Sequence, residues 1–133
     1  MVRNILGVIV GLIVGSLVNI SLIMVNLSFL PTGADFTTPE GVNAVMQNLK
    51  PINFVIVFLA HALGALVGAF VTSLIAVSHK NKLALLIGVL FLLGGIYNAV
   101  VIEAPLWFEA VDIIFAYIPT AWIAGKLATS GKV

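Results

Sequence analysis

Four long apolar stretches, separated by short polar segments, dominate the chain. They cover roughly residues 4–30, 52–78, 83–102 and 106–128. Each reaches the length of about 20 residues that a helix needs to cross ~30 Å of hydrocarbon. Because backbone groups inside lipid must be hydrogen-bonded within the segment, each stretch should be helical. We therefore predict an all-α membrane protein, with four transmembrane helices in a single domain over residues 1–133.

The first connection, near residues 31–50, has a helical pattern of its own. Thr38 is a suitable N-cap, and Pro39 suits the first helical position. The apolar residues that follow recur at i, i+3, i+4 and i+7, namely Val42, Val45, Met46 and Leu49. This pattern predicts a short amphipathic helix that lies on the outer membrane surface.

Basic and acidic residues lie in different connections between the spans, and this distribution predicts the orientation of the chain in the membrane. The N-terminus, the second connection and the C-terminus carry Arg3, Lys80, Lys82, Lys126 and Lys132. The other two connections and their flanks carry Asp35, Glu40, Glu103, Glu109 and Asp112, with Lys50 as their one basic residue. Lys and Arg accumulate on the cytoplasmic side, so both termini are expected there. We expect an integral protein of a bacterial cytoplasmic (inner) membrane.

Composition narrows the function classes further. Of the 133 residues, 62% are hydrophobic and 8% charged, which is far too little charge for a soluble domain. So little chain lies outside the four stretches that no soluble nucleic-acid-binding domain would fit. The absence of cysteine excludes disulfides and thiol chemistry. The first stretch is too long for a signal-peptide core and no A-x-A site follows it, so we expect it to be retained.

Small residues at four-residue spacing follow three of the four predicted spans. The first carries Gly7, Gly11 and Gly15, the second Ala60, Gly64, Gly68, Thr72 and Ala76, and the fourth Ala116, Thr120, Ala124 and Ala128. Small residues let helix backbones approach closely in lipid. Such series serve packing within one chain or between subunits, so a homo-oligomer or a larger membrane complex is among the expected partners, besides the lipid bilayer.

Polar residues inside the spans cluster at one predicted depth. From the segment ends and a rise of 1.5 Å per residue, His61 lies ~13 Å, Asp112 ~9 Å and Asn98 ~8 Å from the outer end. Asn19 falls in the outer half of the first span, and Glu109 lies one turn outward from Asp112. Intramembrane ionisable residues mark functional sites by default. We therefore predict a binding pocket formed by His61, Asp112, Asn19, Asn98 and Glu109.

Each of these residues also has a purely structural interpretation. The asparagines could hydrogen-bond across helices, His61 could be a satisfied core histidine, and Asp112 could reach headgroup water. Pro119 lies within the fourth span, where it would free the carbonyl of Phe115 and kink the helix. The convergence of polar residues from four helices favours a site.

Two functions fit these patterns. The first is a small transporter or channel with a polar pocket in the outer half of the bilayer. The alternative is a non-catalytic accessory or assembly subunit of a larger membrane complex. We expect no enzyme activity, cofactor or metal, because the spacing of His61, Glu109 and Asp112 matches no metal motif. A bis-histidine haem would need two histidines at one depth, whereas His61 and His79 lie in the middle and beyond the end of one span.

Overall fold

The computed structural model describes residues 1–30, 33 and 35–130, and it contains no strand in this part of the chain. The helices are α1 (Val2–Ser28), α2 (Pro39–Met46), α3 (Pro51–Ile75), α4 (Lys80–Val101), α5 (Leu106–Phe115) and α6 (Ile118–Ser130). Four segments are long and apolar enough to cross a membrane: α1, α3, α4 and the pair α5–α6. The prediction of an all-helical chain with four such helices is confirmed.

Local sequence signals explain where the helices begin. Thr38 Oγ1 accepts a hydrogen bond from the Gly41 N–H at 3.2 Å, and Pro39 occupies the first turn of α2. Pro51 likewise begins α3, where Asn53 Oδ1 accepts from the Lys50 N–H at 3.1 Å. These contacts satisfy N–H groups that have no partner within the helix.

The closest helix contact joins α1 to α3 through glycines. Gly7, Gly11 and Gly15 are buried against α3. A Cβ on Gly68 would lie 2.7 Å from the Gly11 carbonyl oxygen, so no larger residue fits there without a shift. Thr72 Oγ1 donates to the Gly7 carbonyl at 3.0 Å. Small residues thus permit close backbone approach here, as the four-residue spacing indicates.

A second core lies among α3, α4 and α6. It consists of Ala69, Ala84, Ile87, Ala121 and Ala124. Of the small-residue series in the fourth span, Ala116 and Ala124 are therefore buried within the chain, whereas Thr120 and Ala128 are half-buried. Helix α1 packs chiefly on α3 and only slightly on α4. This arrangement leaves a groove between α1 and α4.

Hydrogen bonds distinguish the two ends of the bundle. At one, called the α2 end, Asn53 Nδ2 donates to Asn26 Oδ1 at 3.0 Å, and the Glu103 N–H donates to Asn43 Oδ1 at 2.9 Å. At the other, called the termini end, Asn4 Nδ2 donates to Ser78 Oγ at 2.8 Å. Thr129, near the C-terminus, lies beside Asn81 at this same end. Lys132, one of the basic residues behind the predicted orientation, lies outside the described residues.

Candidate functional site

A histidine and an aspartate from different helices meet inside the bundle. His61 on α3 is 8% exposed and Asp112 on α5 is 4% exposed. The Nδ1 atom of His61 lies 2.8 Å from Asp112 Oδ1 and 2.9 Å from Oδ2. An ionised carboxylate only accepts hydrogen bonds, so the proton of this contact is assigned to Nδ1. No described residue hydrogen-bonds to Nε2 of His61.

The side chain of Tyr117 contacts both His61 and Asp112. Its hydroxyl donates to Asp112 Oδ2 at 2.7 Å, and Oη lies 3.1 Å from His61 Nδ1. The rings of Tyr117 and His61 stack with centroids 5.8 Å apart. Tyr117 is 2% exposed, so all three groups of this His61–Asp112–Tyr117 cluster are removed from solvent. Hydrogen bonds among buried polar groups offset the loss of hydration that each would otherwise suffer.

The break between α5 and α6 positions Tyr117. Helix α5 ends at Phe115 and α6 begins at Ile118. Pro119 has no N–H to give to the Phe115 carbonyl, which favours an interruption at this point. The Thr120 hydroxyl donates to the carbonyls of Ala116 at 2.6 Å and Tyr117 at 3.0 Å, so the break is hydrogen-bonded from within the chain.

A cavity of about 290 Å³ extends from the cluster toward the α2 end. We call it the α2 cavity, because the apolar face of α2 and the residues beside it form one wall. Its lining includes Phe36, Val42, Val45, Met46, Leu49, Phe108 and Ile113. His61 and Asp112 lie on its floor, and half-buried Glu109 also lines it. No Lys or Arg is found among the described lining residues. The cavity therefore combines apolar walls with an acidic polar floor.

The groove between α1 and α4, called the α1–α4 groove, reaches His61 from a second direction. Its volume is about 220 Å³, and it is lined by Leu12, Ser16, Asn19, His61, Leu90, Phe91, Gly94, Gly95, Asn98 and Tyr117. His61, Gly95 and Asn98 line both the groove and the α2 cavity. A Cβ on Gly95 would lie 2.6 Å from Tyr117 Cζ, so a glycine is needed where the two spaces adjoin.

The five residues of the predicted pocket fall into three positions. His61 and Asp112 are in direct contact, and Glu109 lines the α2 cavity with no hydrogen bond to either among the described residues. Asn98 lines both spaces, although its side chain is exposed on the surface of α4. Asn19 lines the α1–α4 groove alone, and its Oδ1 is buried with no hydrogen-bond partner among the described residues. The shared depth of these residues does not bring all five into one cluster.

Sequence reasoning missed two polar residues. The signal for Tyr117 is its place two residues before Pro119, which indicates a break, together with the need of a tyrosine deep in a span for a hydroxyl partner. Asn26 is fully buried and pairs with Asn53, holding α1 against α3 beside the α2 cavity. Within the described ranges, no group of three His, Asp or Glu side chains is placed to hold a metal ion.

Comparison with known proteins adds no relative from which a role could be transferred. No protein-family model matches the chain, no curated protein matches it, and no solved structure matches its fold. The site's own geometry therefore carries the functional interpretation.

Proposed function

We propose that the protein is a small, non-enzymatic integral membrane transporter for amphiphilic cations. The observation that carries this proposal is the α2 cavity, in which apolar walls end on the carboxylate of Asp112. An alkyl chain would occupy the apolar part, and a positively charged head group would lie at the floor. Ligand pockets commonly combine apolar walls with a few placed polar groups.

The charge of the lining supports a cation. Its ionisable side chains are those of Asp112, Glu109 and His61, and the described lining offers no Lys or Arg to balance an anion. Asp112 Oδ1 accepts only from His61 among the described residues, so it retains acceptor capacity, whereas Oδ2 faces both His61 and Tyr117. The α2 cavity and the α1–α4 groove both reach His61, so the site adjoins two spaces. We place the α2 end outside and the termini end in the cytoplasm, following the distribution of Lys and Arg.

The test compares octylammonium with 1-octanol, which has a similar chain and no charge. Binding to the protein in lipid nanodiscs is measured by calorimetry, and uptake of labelled octylammonium is measured in proteoliposomes. We expect octylammonium to bind more tightly and Asp112→Asn to weaken it by about tenfold, the effect of one charge-assisted hydrogen bond.

A matched pair of glutamates controls for net charge. Glu109→Gln should weaken octylammonium binding, whereas Glu103→Gln should not, because Glu103 is exposed and does not line the cavity. Equal affinity for octanol and octylammonium in the parent would contradict the proposal, as would equal effects of the two substitutions.

The second candidate is an accessory subunit, and Asn98 favours it. The Asn98 side chain is exposed on α4 and makes no hydrogen bond within the described chain. An exposed amide within a span offers hydrogen-bonding groups that a partner helix can satisfy. A partner-dependent role predicts that Asn98→Leu dissociates a complex purified in mild detergent while the isolated chain stays as stable as the parent.

A further inference from the structure

Helix α2 is only loosely attached to the rest of the bundle. None of its residues is buried. Within the described chain, one hydrogen bond joins α2 to a residue beyond its own caps: the Glu103 N–H donates to Asn43 Oδ1 at 2.9 Å. The bonds made by the side chains of Thr38 and Asn48 stay within the helix and its ends. Moving α2 away from the bundle therefore breaks few contacts, and elements with few buried contacts open most readily.

The same helix covers the site with its apolar face. Val42, Val45 and Met46 line the α2 cavity and are half-buried, whereas Ala44 does not line it and is exposed. The carboxylate of Asp112 lies on the floor of this cavity. An alkyl chain that extends from a head group at Asp112 would pack against the apolar face of α2. That packing removes apolar surface of the chain and of the helix from water, which favours the closed position of α2 seen in the structure.

We propose that α2 is a lid, which opens to admit an amphiphilic cation and closes over its alkyl chain once the head group is at Asp112. This inference rests on the proposed function and adds the route of entry and the element that retains the ligand. A ligand shifts a two-state equilibrium only by its differential affinity for the two states. The alkyl chain supplies that difference, because it contacts α2 only when the helix is closed.

The first experiment measures deuterium exchange of the α2 amides in lipid nanodiscs. At a concentration of octylammonium that saturates the parent by calorimetry, we expect exchange in α2 to slow at least about fivefold. The amides of α6, which does not line the α2 cavity, should exchange at an unchanged rate. Asp112→Asn in the same nanodiscs controls for octylammonium dissolved in the lipid, and at this concentration it should show a clearly smaller effect in α2.

The second experiment locks the lid. Because the chain has no cysteine, Asn43→Cys with Glu103→Cys places two thiols where α2 is tied to the bundle, and a bifunctional methanethiosulfonate links them. Linked before octylammonium is added, the protein should bind it at least about tenfold more slowly than after reduction of the link. Linked afterwards, it should release octylammonium more slowly by a similar factor. Both states belong to one variant, so an effect of the substitutions on folding cancels.

A matched link controls for the reagent. Asn81→Cys with Thr129→Cys joins α4 to α6 at the termini end, where Thr129 Oγ1 lies 3.5 Å from Asn81 Oδ1. Neither residue lines the α2 cavity, so this link should leave both rates unchanged.

The outcomes separate this inference from the proposed function. Asp112-dependent binding of octylammonium at equal rates in the locked and reduced protein would overturn the lid, direct attention to entry through the α1–α4 groove, and leave the cation site standing. Unchanged exchange in α2 at saturating octylammonium would show that the helix does not close over the alkyl chain. No binding of octylammonium at all would overturn the proposed function and this inference with it.

Discussion

Asp112 and Tyr117 lie five residues apart, and the Tyr117 hydroxyl donates to Asp112 Oδ2 at 2.7 Å. In a continuous α-helix that spacing would turn the two side chains about 140° apart around the axis. The interruption between α5 and α6 changes this rotation and brings both onto His61. The same break that costs helical hydrogen bonds thus assembles the polar cluster.

The hydroxyl of Tyr117 should contribute measurably to stability. Tyr117→Phe removes its bond to Asp112, and we expect a loss of about 1–2 kcal/mol in the free energy of unfolding. Tyr97→Phe is the matched control, because Tyr97 is 68% exposed on α4, and it should change stability by less than about 0.5 kcal/mol. Reversible unfolding in mixed micelles measures both. Equal effects of the two substitutions would show that the Tyr117 hydroxyl adds nothing to the cluster.

The contact between α1 and α3 should tolerate no added methyl group at Gly11. A Cβ there would overlap the Thr72 side chain, so Gly11→Ala should cost about 1–3 kcal/mol through overpacking. Gly94→Ala adds the same methyl group to open space and should be neutral or slightly stabilising. Thermal unfolding of both variants in one detergent provides the comparison. A Gly11→Ala variant as stable as Gly94→Ala would contradict the close contact.

The bond between Asn43 and the Glu103 N–H should hold α2 over the cavity. Asn43→Ala removes it, and the amides of α2 should exchange with deuterium roughly fivefold faster, as the loss of about 1 kcal/mol implies. Gln47→Ala, at an exposed position beside α2, should leave exchange unchanged. Faster exchange throughout α3 as well would indicate global destabilisation instead of local release.

Orientation in the membrane can be tested directly because the chain has no cysteine. Single cysteines in place of Gln47 and Ser130 lie at the α2 end and the termini end, respectively, and both positions are exposed. We expect an impermeant thiol reagent to label the Gln47 variant from outside intact cells and the Ser130 variant only after lysis. Labelling of both from one side is incompatible with four membrane crossings.

Acidification should loosen the connection that leads into α2. The Thr37 hydroxyl and N–H donate to the Asp35 carboxylate and lower the pKa of Asp35 below its ordinary value of 3.8. Because the pKa of Asp35 is lower in the folded state, these hydrogen bonds stabilise the fold fully above the ordinary pKa. The stabilisation is lost as the pH falls through the pKa of the folded state. Thr37→Val should raise the pKa of Asp35, which an NMR titration of its carboxyl carbon measures. An unchanged titration would show that the hydroxyl bond does not form in solution.

Much of the helical architecture could be predicted because lipid constrains it so strongly. Long apolar runs admit only helices, and four-residue spacing of glycines indicates a face of close approach, as Gly11 and Gly68 show. Proline and threonine signals likewise indicate the start of α2. These features depend on local sequence or on one helix face, so they can be predicted from a single amino-acid sequence.

The site was harder to predict, since depth alone does not give rotation about the helix axis. His61 and Asp112 share a depth and do meet, whereas Asn19 at a similar depth lines a separate groove. The direction of the Tyr117 side chain around the helix axis depends on where α5 ends. Pro119, two residues after Tyr117, indicates a break but does not fix that direction. Tertiary packing decides both the rotation of each helix and the end of α5. The sequence therefore indicates candidate residues but not which of them lie together.

The attachment of α1 to α3 has a consequence for biosynthesis. Gly7 and its partner Thr72 are 65 residues apart, so at about 5–20 residues per second the ribosome needs roughly 3–13 s to supply the second after the first. During that delay α1 is in the translocon or the lipid with its glycine face uncovered and Asn26 without Asn53. A chaperone or the translocon wall that shields this face would therefore raise the yield of correctly assembled chains.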